Sequence, residues 1–153
     1  MQLCIDYGKL NYAIVKDNYS LPRIKDIFDT LFGSKFFIFF DFAMGYHQVE
    51  VLPKVRDKTA ISTPFGLFKY YVMPLKLGTA LATFMRIMTF VYSGMLYLAC
   101  LAYLDDIIIF GRSFEKHLDR LDKTLKHDEN ANLKLDRLSA HFVIKLFGVC
   151  RIQ

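Results

Sequence analysis

Three aspartates in this sequence could support metal-dependent chemistry. Asp105 and Asp106 are adjacent and lie between two strongly apolar runs, and Asp41 ends a third apolar run at residues 36–40. Two unit charges about 4 Å apart repel by roughly 4 kcal/mol at an effective dielectric near 20, so something must offset the charge of the adjacent pair. A divalent cation is one solution, and Asp41 would complete its ligand set.

Mg²⁺ suits such a site, with Mn²⁺ as a substitute. Two such ions about 4 Å apart can lower the pKa of an attacking 3′-hydroxyl, hold an incoming triphosphate in line and stabilise the leaving pyrophosphate. The alternative is that Asp105 and Asp106 form a solvated hairpin turn in which water screens the repulsion. The residue pattern by itself favours the turn and leaves the metal site open.

The surrounding sequence predicts strands that would position these carboxylates. Residues 36–40 are typical of a strand buried on both faces, and residues 100–110 predict two strands joined by a tight acidic turn. Residues 47–51 alternate polar and apolar side chains, which is typical of a strand. The two strand-like runs beside Gly66 predict a hairpin, and residues 3–5 predict the end of a further strand.

Helices are predicted in three segments. The first follows Pro22 and ends at Gly33, the second covers about residues 79–96, and the third follows Ser113 as its N-cap. The apolar positions are Ile24, Ile27, Phe28 and Leu31 in the first helix and Phe114, Leu118, Leu121 and Leu125 on one face of the third. The sequence contains no repeat or linker, so we expect one domain.

The composition is that of a globular domain. Of 153 residues, 54% are hydrophobic and 16% aromatic, which is too apolar for a disordered tail. Lysine and arginine exceed acids by 20 to 15, a mild attraction toward polyanions. Cys4, Cys100 and Cys150 lack the spacing of a zinc site, and we expect them to be reduced and intracellular.

One segment requires a test for a membrane span. Residues 87–104 form 18 positions without a charge, the lower limit for crossing a bilayer. The segment runs directly into Asp105 and Asp106, and the apolar sequence then resumes at once. This pattern favours a buried helix followed by a hairpin, and we expect no membrane partner.

The acidic turn belongs to a series of motifs that resembles a known family. The YLDD at 103–106 resembles the YxDD box of reverse transcriptases. Similar segments occur in family order: LCIDYGKLN (3–11), YSLPRIKDIFDTLFGSKFF (19–37), DFAMGYHQVEV (41–51), KTAISTPFGLFKYYVMP (58–74), ATF (82–84) and AYLDDIIIFGRSFEKHL (102–118). The ordered set is far more specific than YxDD alone, and it resembles the gypsy-type long-terminal-repeat retrotransposons.

The resemblance implies a fold and an activity. The fold would be α+β, a right-hand polymerase palm with an antiparallel sheet backed by helices, plus part of the fingers, over residues 1–153 and without thumb or RNase H. The activity would be RNA-directed DNA synthesis, the two-metal transfer of dNTPs to a primer 3′-hydroxyl. Its partners would be an RNA or DNA template with primer, dNTPs and the other domains of a polyprotein, with a cytoplasmic location.

The resemblance also assigns roles near the carboxylates. Asp41, Asp105 and Asp106 would bind metal and catalyse the reaction, with the backbone carbonyl of Phe42 as a further ligand. Tyr46 resembles the aromatic gate that excludes a 2′-hydroxyl, with Gly45 providing backbone clearance. From the residues alone, Tyr46 is better explained as a core tyrosine.

The remaining assignments concern nucleotide and nucleic acid. Tyr103 would pack near the primer end, whereas Gln48, Leu75 and Lys76 would line the template and nucleotide pocket. A basic run could meet template phosphate, although a solvated face is at least as good an explanation. The run consists of Lys54, Arg56 and Lys58.

Several positions depart from the family pattern. Gln2 replaces an Arg that grips the triphosphate, and a neutral amide cannot reproduce a bidentate guanidinium contact. Lys76 stands where the backbone normally needs Gly, and Leu81 where Pro normally sits. Residues 140–149 are about three residues shorter than the family segment, which affects the primer grip. The alternative function is therefore a decayed, non-catalytic remnant that keeps the palm fold and weak nucleic-acid binding.

Overall fold

The computed structural model describes residues 5–17, 19–146 and 149–152. Gln2, Cys4 and most of the strand end predicted at 3–5 lie outside the described residues, and Ile5 has no regular secondary structure. Of Cys150 only the backbone is described. Cys100 is a free, buried cysteine.

The described residues form four α-helices and seven strands. The α-helices are α1 (Gly8–Ala13), α2 (Ile24–Leu31), α3 (Ala80–Val91) and α4 (Phe114–Asn130). The strands are β1 (Phe36–Asp41), β2 (Ile61–Thr63), β3 (Gly66–Phe68), β4 (Cys100–Tyr103), β5 (Asp106–Gly111), β6 (His141–Leu146) and β7 (Val149–Ile152). Short 3₁₀ helices span Gly45–Gln48, Pro53–Thr59 and Arg137–Ser139.

A five-stranded antiparallel sheet organises the fold. Its order is β4-β5-β1-β6-β7, which places β1 at the centre, and β2 and β3 form a separate hairpin. Along the β1–β5 pair, Phe36 lies opposite Gly111 and Asp41 opposite Asp106. The antiparallel sheet backed by helices confirms the predicted α+β class, and the hairpins around Gly66 and the acidic turn form as predicted.

The main core lies between the sheet and two helices. Side chains of α3 pack with Ile107 and Ile109 of β5, and Leu121 of α4 packs against the same cluster. The helical contributors are Ala80, Phe84 and Met88, followed by Tyr92 just after α3. On the opposite face a smaller cluster joins Leu101 and Phe110 to the helix α2. Both faces of the sheet are therefore apolar, and its loop end is left for polar side chains.

Two strand predictions need correction. In β1 only Phe37 is buried and its apolar neighbours are half-buried, because the short α2 covers the second face incompletely. Residues 47–51 do not form a strand. The left-handed backbone of Met44, with φ 51°, precedes a 3₁₀ turn at Gly45–Gln48, and Glu50 makes only an isolated bridge to Val72.

Two helix predictions also need correction. The helix predicted for 79–96 ends at Val91, because the chain turns before Gly94, whose φ is +80°. Ser113 caps α4 as predicted, accepting the Lys116 N–H at 3.3 Å. The predicted apolar face of α4 is nevertheless largely outside the core. Phe114, Leu118 and Leu125 are 48%, 46% and 41% exposed, whereas His117, Thr124 and Asp128 are buried.

A membrane-spanning helix must be long and apolar enough to cross the bilayer. In residues 5–17, 19–146 and 149–152, no helix has the length and apolar character needed to span a bilayer. The uncharged segment 87–104 is divided among the end of α3, a turn and β4.

Candidate catalytic carboxylate site

The sheet register brings two of the three aspartates face to face. Asp41 is the last residue of β1, Asp106 is the first residue of β5, and the two are paired across the strands. Asp105 lies in the two-residue turn between β4 and β5, and its carbonyl oxygen accepts the Phe42 N–H at 3.2 Å. All three aspartates are exposed and line one open cleft. The predicted meeting of Asp41 with the acidic turn therefore exists.

The pairing has an electrostatic consequence at Asp106. Its pKa is raised to about 6, first by partial burial, then by a hydrogen bond with Asp41 and by the charges of Asp41 and Asp105. A hydrogen bond between two carboxyl groups requires a shared proton, so the pair resists carrying two full negative charges. A divalent cation would relieve the same repulsion.

Asp105 has a different partner. The Tyr46 hydroxyl hydrogen-bonds the Asp105 carboxylate, and the Tyr46 pKa is raised by burial first and then by this bond and charge. The Tyr46 ring packs on Phe84, with centroids 5.2 Å apart. Within the part of the chain that the structure describes, no three His, Cys, Asp or Glu side chains form a ready metal cluster. Mg²⁺ in proteins is commonly held by one or two carboxylates plus substrate phosphates, so the Asp41–Asp106 pair fits that donor set.

The rest of the cleft wall is mostly apolar. The predicted residues Phe42, Gly45, Tyr46 and Leu75 line it. Met44, His47 and Leu104 line it too and were missed by the sequence prediction. His47 stacks on Tyr70, with ring centroids 6.4 Å apart. All three missed residues lie within the quoted motifs at 41–51 and 103–106, so a signal was available, although no role was assigned to them.

Backbone conformation at the cleft is unusual in two places. Met44 and Leu104 both have left-handed backbones, with φ of 51° and 55°, although neither is glycine. Such conformations are disfavoured for L side chains and persist where surrounding contacts fix them. They let the chain turn sharply just after Asp41 and just before Asp105.

Packing in the core explains why position 45 is a glycine. A Cβ added at Gly45 would lie 3.0 Å from Phe84 Cζ and 3.1 Å from Phe42 Cβ. Gly45 therefore gives clearance against two packed aromatic side chains. Its predicted clearance beneath a nucleotide is a separate claim that stays a prediction.

Gln48 is engaged away from the cleft wall. Its Nε2 donates to the carbonyl oxygens of Ala43 and Lys134 at 2.7 and 2.8 Å, and its Oε1 accepts the Lys134 N–H at 2.7 Å. These bonds fasten the loop after β1 to the segment after α4. The structure thus gives Gln48 a structural role, and nucleotide contact by this side chain stays a prediction.

Lys76 and Tyr103 lie next to the cleft wall. Lys76 is exposed and follows Leu75, and its φ of 64° is the left-handed conformation for which glycine is favoured. Tyr103 is half-buried on β4 directly opposite Asp106. Tyr103 is thus near the carboxylates and Lys76 adjoins a residue of the cleft wall, and their roles toward nucleotide and primer stay predictions.

The three residues of the basic run differ in their contacts. Arg56 Nε donates to the Val51 carbonyl oxygen at 2.8 Å, and its guanidinium lies 4.7 Å from the Tyr71 ring centroid. Lys54 and Lys58 are exposed. Arg56 therefore stabilises its own loop, and the two lysines are the better candidates for phosphate contact.

Comparison with known proteins places the chain in a family. The family described as "Reverse transcriptase (RNA-dependent DNA polymerase)" matches residues 1–141. The chain belongs to the reverse transcriptase family. Reverse transcriptases are nucleotidyltransferases and generally use divalent metal ions.

Similar curated proteins include retrotransposon polyproteins. The retrovirus-related Pol polyprotein from transposon 297 of Drosophila melanogaster is 38% identical over 144 residues, 94% of this chain and 14% of that protein. The Pol polyprotein from transposon gypsy of the same organism is 32% identical over 92% of this chain and 14% of its own length. An RNA-directed DNA polymerase homolog of Oenothera berteroana is 36% identical over 79% of this chain and 87% of its own length. The chain thus spans a small part of the two polyproteins, and it is a retrotransposon-type reverse transcriptase domain.

Solved structures agree on the fold. The prototype foamy virus protease-reverse transcriptase CSH mutant matches with a TM-score of 0.82 at 16% identity, over 99% of this chain and 21% of that one. The foamy viral enzyme in complex with an RNA/DNA hybrid matches with a TM-score of 0.81 at 16% identity, over 95% of this chain and 20% of that one. The predicted family and fold are confirmed.

Proposed function

We propose that this chain forms the palm and part of the fingers of an RNA-directed DNA polymerase, which transfers dNTPs to a primer 3′-hydroxyl on an RNA or DNA template. The observation that carries the proposal is the direct opposition of Asp41 and Asp106 beside the Asp105 turn. Family membership supplies the reaction class, and the cleft supplies a place where primer and nucleotide could meet these carboxylates.

The carboxylates would hold the metal ions. Asp41 and Asp106 are the principal ligands, the Phe42 carbonyl is a further one, and Asp105 joins them once Tyr46 releases it. Two Mg²⁺ ions, or Mn²⁺ in their place, would lower the pKa of the 3′-hydroxyl and neutralise charge on the triphosphate. The protein's part is to keep two mutually repelling carboxyl groups in register on a rigid sheet, ready to accept cations.

Tyr46 would act on the sugar of the incoming nucleotide. Its ring is braced by Phe84 and its hydroxyl is anchored on Asp105, so its position in the cleft is well defined. A fixed ring beneath the sugar excludes a 2′-hydroxyl by contact. Leu75 would bound the nucleotide on the opposite wall, with Lys76, Gln48 and Tyr103 nearby as further contacts to nucleotide and primer.

Template contact would come from the fingers side. The exposed Lys54 and Lys58 would bind phosphates without reading sequence, so the interaction would weaken as salt rises. Solved relatives are described in complex with an RNA/DNA hybrid and with dsDNA, which supports a template–primer partner here.

A non-catalytic remnant is the second candidate. The left-handed Lys76 favours it, since this position normally carries glycine and the lysine lies next to the nucleotide wall. A remnant of this kind would keep the fold and weak nucleic-acid binding, and would not extend a primer.

Two measurements separate the candidates. The first is Mg²⁺ or Mn²⁺ binding by calorimetry, comparing the wild type with Asp105→Asn plus Asp106→Asn and with the charge-matched control Glu115→Gln plus Glu129→Gln, two exposed positions on α4. The second is metal-dependent extension of a primer on RNA and DNA templates by the same proteins. Binding and extension that disappear only in the aspartate variant support the polymerase, whereas a wild type that binds no metal and extends no primer supports the remnant.

A further inference from the structure

Asn11 bridges two distant parts of the chain with its side-chain amide. Its Nδ2 donates to the Lys76 carbonyl oxygen at 2.8 Å, and its Oδ1 accepts the Gly78 N–H at 2.7 Å. The two partners are 65 and 67 positions away in sequence. One side chain thus binds the backbone on both sides of residue 77.

The segment that Asn11 bridges, residues 76–78, contains a strained backbone. Lys76 has φ 64°, a conformation that an L side chain disfavours. A Cβ at Gly78 would lie 3.2 Å from Asn11 Oδ1, so the backbone at Gly78 approaches the amide closely. The contact with Asn11 therefore opposes relaxation of the strained turn.

The same segment connects the cleft to the core. Leu75, immediately before the turn, lines the cleft that holds the three aspartates, and Leu77 packs against the main core. A change in the backbone at 76 would therefore move Leu75 relative to the carboxylates. In the proposed function, Leu75 forms the side of the cleft that contacts the incoming nucleotide.

The helix that carries Asn11 is itself anchored. Tyr7, the buried residue before α1, donates its hydroxyl to the Thr59 carbonyl oxygen at 3.3 Å. The Asn11 N–H donates to the Tyr7 carbonyl oxygen at 2.8 Å. Asn11 is thus held by a neighbour that is fixed to the segment Pro53–Thr59.

We propose that Asn11 is a positioning residue of the nucleotide cleft, which holds the turn at 76–78 so that Leu75 stays against the incoming dNTP. This inference rests on the proposed polymerase function. Asn11 acts through the backbone of the turn and touches none of the three aspartates, so it sets nucleotide affinity and leaves the chemical step alone.

Three variants isolate this role. Asn11→Ala removes both bonds, and Asn11→Asp keeps the acceptor for the Gly78 N–H while losing the donor to the Lys76 carbonyl. Lys76→Gly supplies a residue that adopts the left-handed turn unaided, and Asn11→Ala is also measured in that background against Lys76→Gly alone. Asn130→Ala, at the exposed end of α4, is the distant control.

The expected results concern two readouts. Hydrogen exchange of the Gly78 amide, measured by NMR on the full chain, rises about tenfold in Asn11→Ala because its acceptor is lost. In primer extension the KM for dNTP rises about tenfold while kcat stays within about twofold, the signature of lost ground-state binding. Asn11→Asp lies between, Asn11→Ala raises the KM by less than about twofold when both compared proteins carry Lys76→Gly, and Asn130→Ala matches the wild type.

Different outcomes overturn different claims. A tenfold fall in kcat with unchanged KM, or an undiminished effect of Asn11→Ala on the KM in the Lys76→Gly background, would overturn the positioning role. Unchanged Gly78 exchange in Asn11→Ala would overturn the bridge itself. If the wild-type chain extends no primer, the polymerase proposal fails, and the Gly78 exchange comparison still decides independently whether Asn11 holds the turn.

Discussion

Asp41 and Asp106 lie directly opposite each other on the antiparallel strands β1 and β5, and their carboxyl groups share a hydrogen bond. The raised pKa of Asp106 shows that this pair opposes full ionisation. The proposed metal-binding function and the stability of the fold therefore make opposite demands on these two residues. The pair is suited to binding cations because a cation would relieve the repulsion between the two carboxylates.

Asp106→Asn should stabilise the chain and abolish catalysis. A folded-state pKa raised to about 6 means that ionised Asp106 destabilises the fold above that pH. At about pH 8 the neutral amide should raise the unfolding midpoint by about 2–4 °C, equivalent to roughly 1 kcal/mol, because solvent screens this exposed pair and reduces the effect of the pKa shift. On the proposed function, primer extension should fall by about a thousandfold or more, because a proposed metal ligand is lost.

The control for this experiment is Glu115→Gln, which removes one exposed charge on α4. It should leave the extension rate unchanged and lower the midpoint slightly, since an acidic side chain in the first turn stabilises a helix, whereas Asp106→Asn should raise the midpoint. A lower midpoint in Asp106→Asn would contradict the electrostatic argument, since it would mean that the ionised pair stabilises the sheet end.

Tyr46→Phe should tighten divalent-metal binding. The phenyl ring keeps the contact with Phe84, whereas the hydrogen bond to Asp105 is lost. A single hydrogen bond of about 0.5–1.5 kcal/mol corresponds to a change of about 2–10-fold in Mg²⁺ affinity, measured by calorimetry. Tyr70→Phe removes a hydroxyl outside the cleft lining and serves as the control. Weaker metal binding in Tyr46→Phe would mean that the hydroxyl supports the metal site.

Gly45→Ala should destabilise the core beneath the cleft. The added methyl would meet Phe84 Cζ at 3.0 Å and Phe42 Cβ at 3.1 Å, and Phe84 is fully buried. Overpacking of this kind costs about 1–3 kcal/mol, which urea denaturation can measure. Combining Gly45→Ala with Phe84→Leu should cost less than the sum of the two single changes. Strict additivity would show that the two positions do not clash.

The sequence predicted the carboxylate site because its determinants are local. An acidic two-residue turn between apolar runs indicates a hairpin, and the run before Asp41 indicates a strand. The residue pattern left the meeting of Asp41 with the acidic turn as one of two alternatives, and the family resemblance favoured it. Pairing of Asp41 with Asp106 in register is a long-range fact, and only the structure shows it.

Other elements could not be predicted because tertiary packing overrides local pattern. The alternation at 47–51 does not reveal that Met44 is left-handed, which sends the chain into a 3₁₀ turn. In α4 the spacing of the apolar residues predicted that they share one face, and the structure shows in addition that the helix buries His117 against Gly111 and brings Asp128 to Tyr92. Polar side chains do not contribute to hydrophobic periodicity, so the burial of His117 and Asp128 was not predicted.

Asp128 should make stability depend on pH. Tyr92 donates a hydrogen bond to one oxygen of Asp128, whereas the other, Oδ2, is buried and has no hydrogen-bond partner among the described residues. Burial raises the Asp128 pKa from 3.8 to about 6, against the opposing effects of the Tyr92 bond and the His127 charge. The stability contributed by protonated Asp128 is therefore fully present below about pH 4 and lost as pH rises through about 6.

Asp128→Asn should remove this pH dependence. The amide oxygen still accepts from Tyr92 but cannot ionise, so the loss of about 3 kcal/mol between about pH 4 and pH 7 should vanish from the denaturation curves. Buried His117, whose pKa is lowered by burial and by Arg120, gives the opposite slope in both proteins and cancels in their difference. Asp122→Asn, which breaks an exposed pair with Lys126 on the same helix, should keep the wild-type slope. Equal slopes in Asp128→Asn and the wild type would show that Asp128 is ionised in the folded chain at acidic pH and that its buried oxygen is solvated.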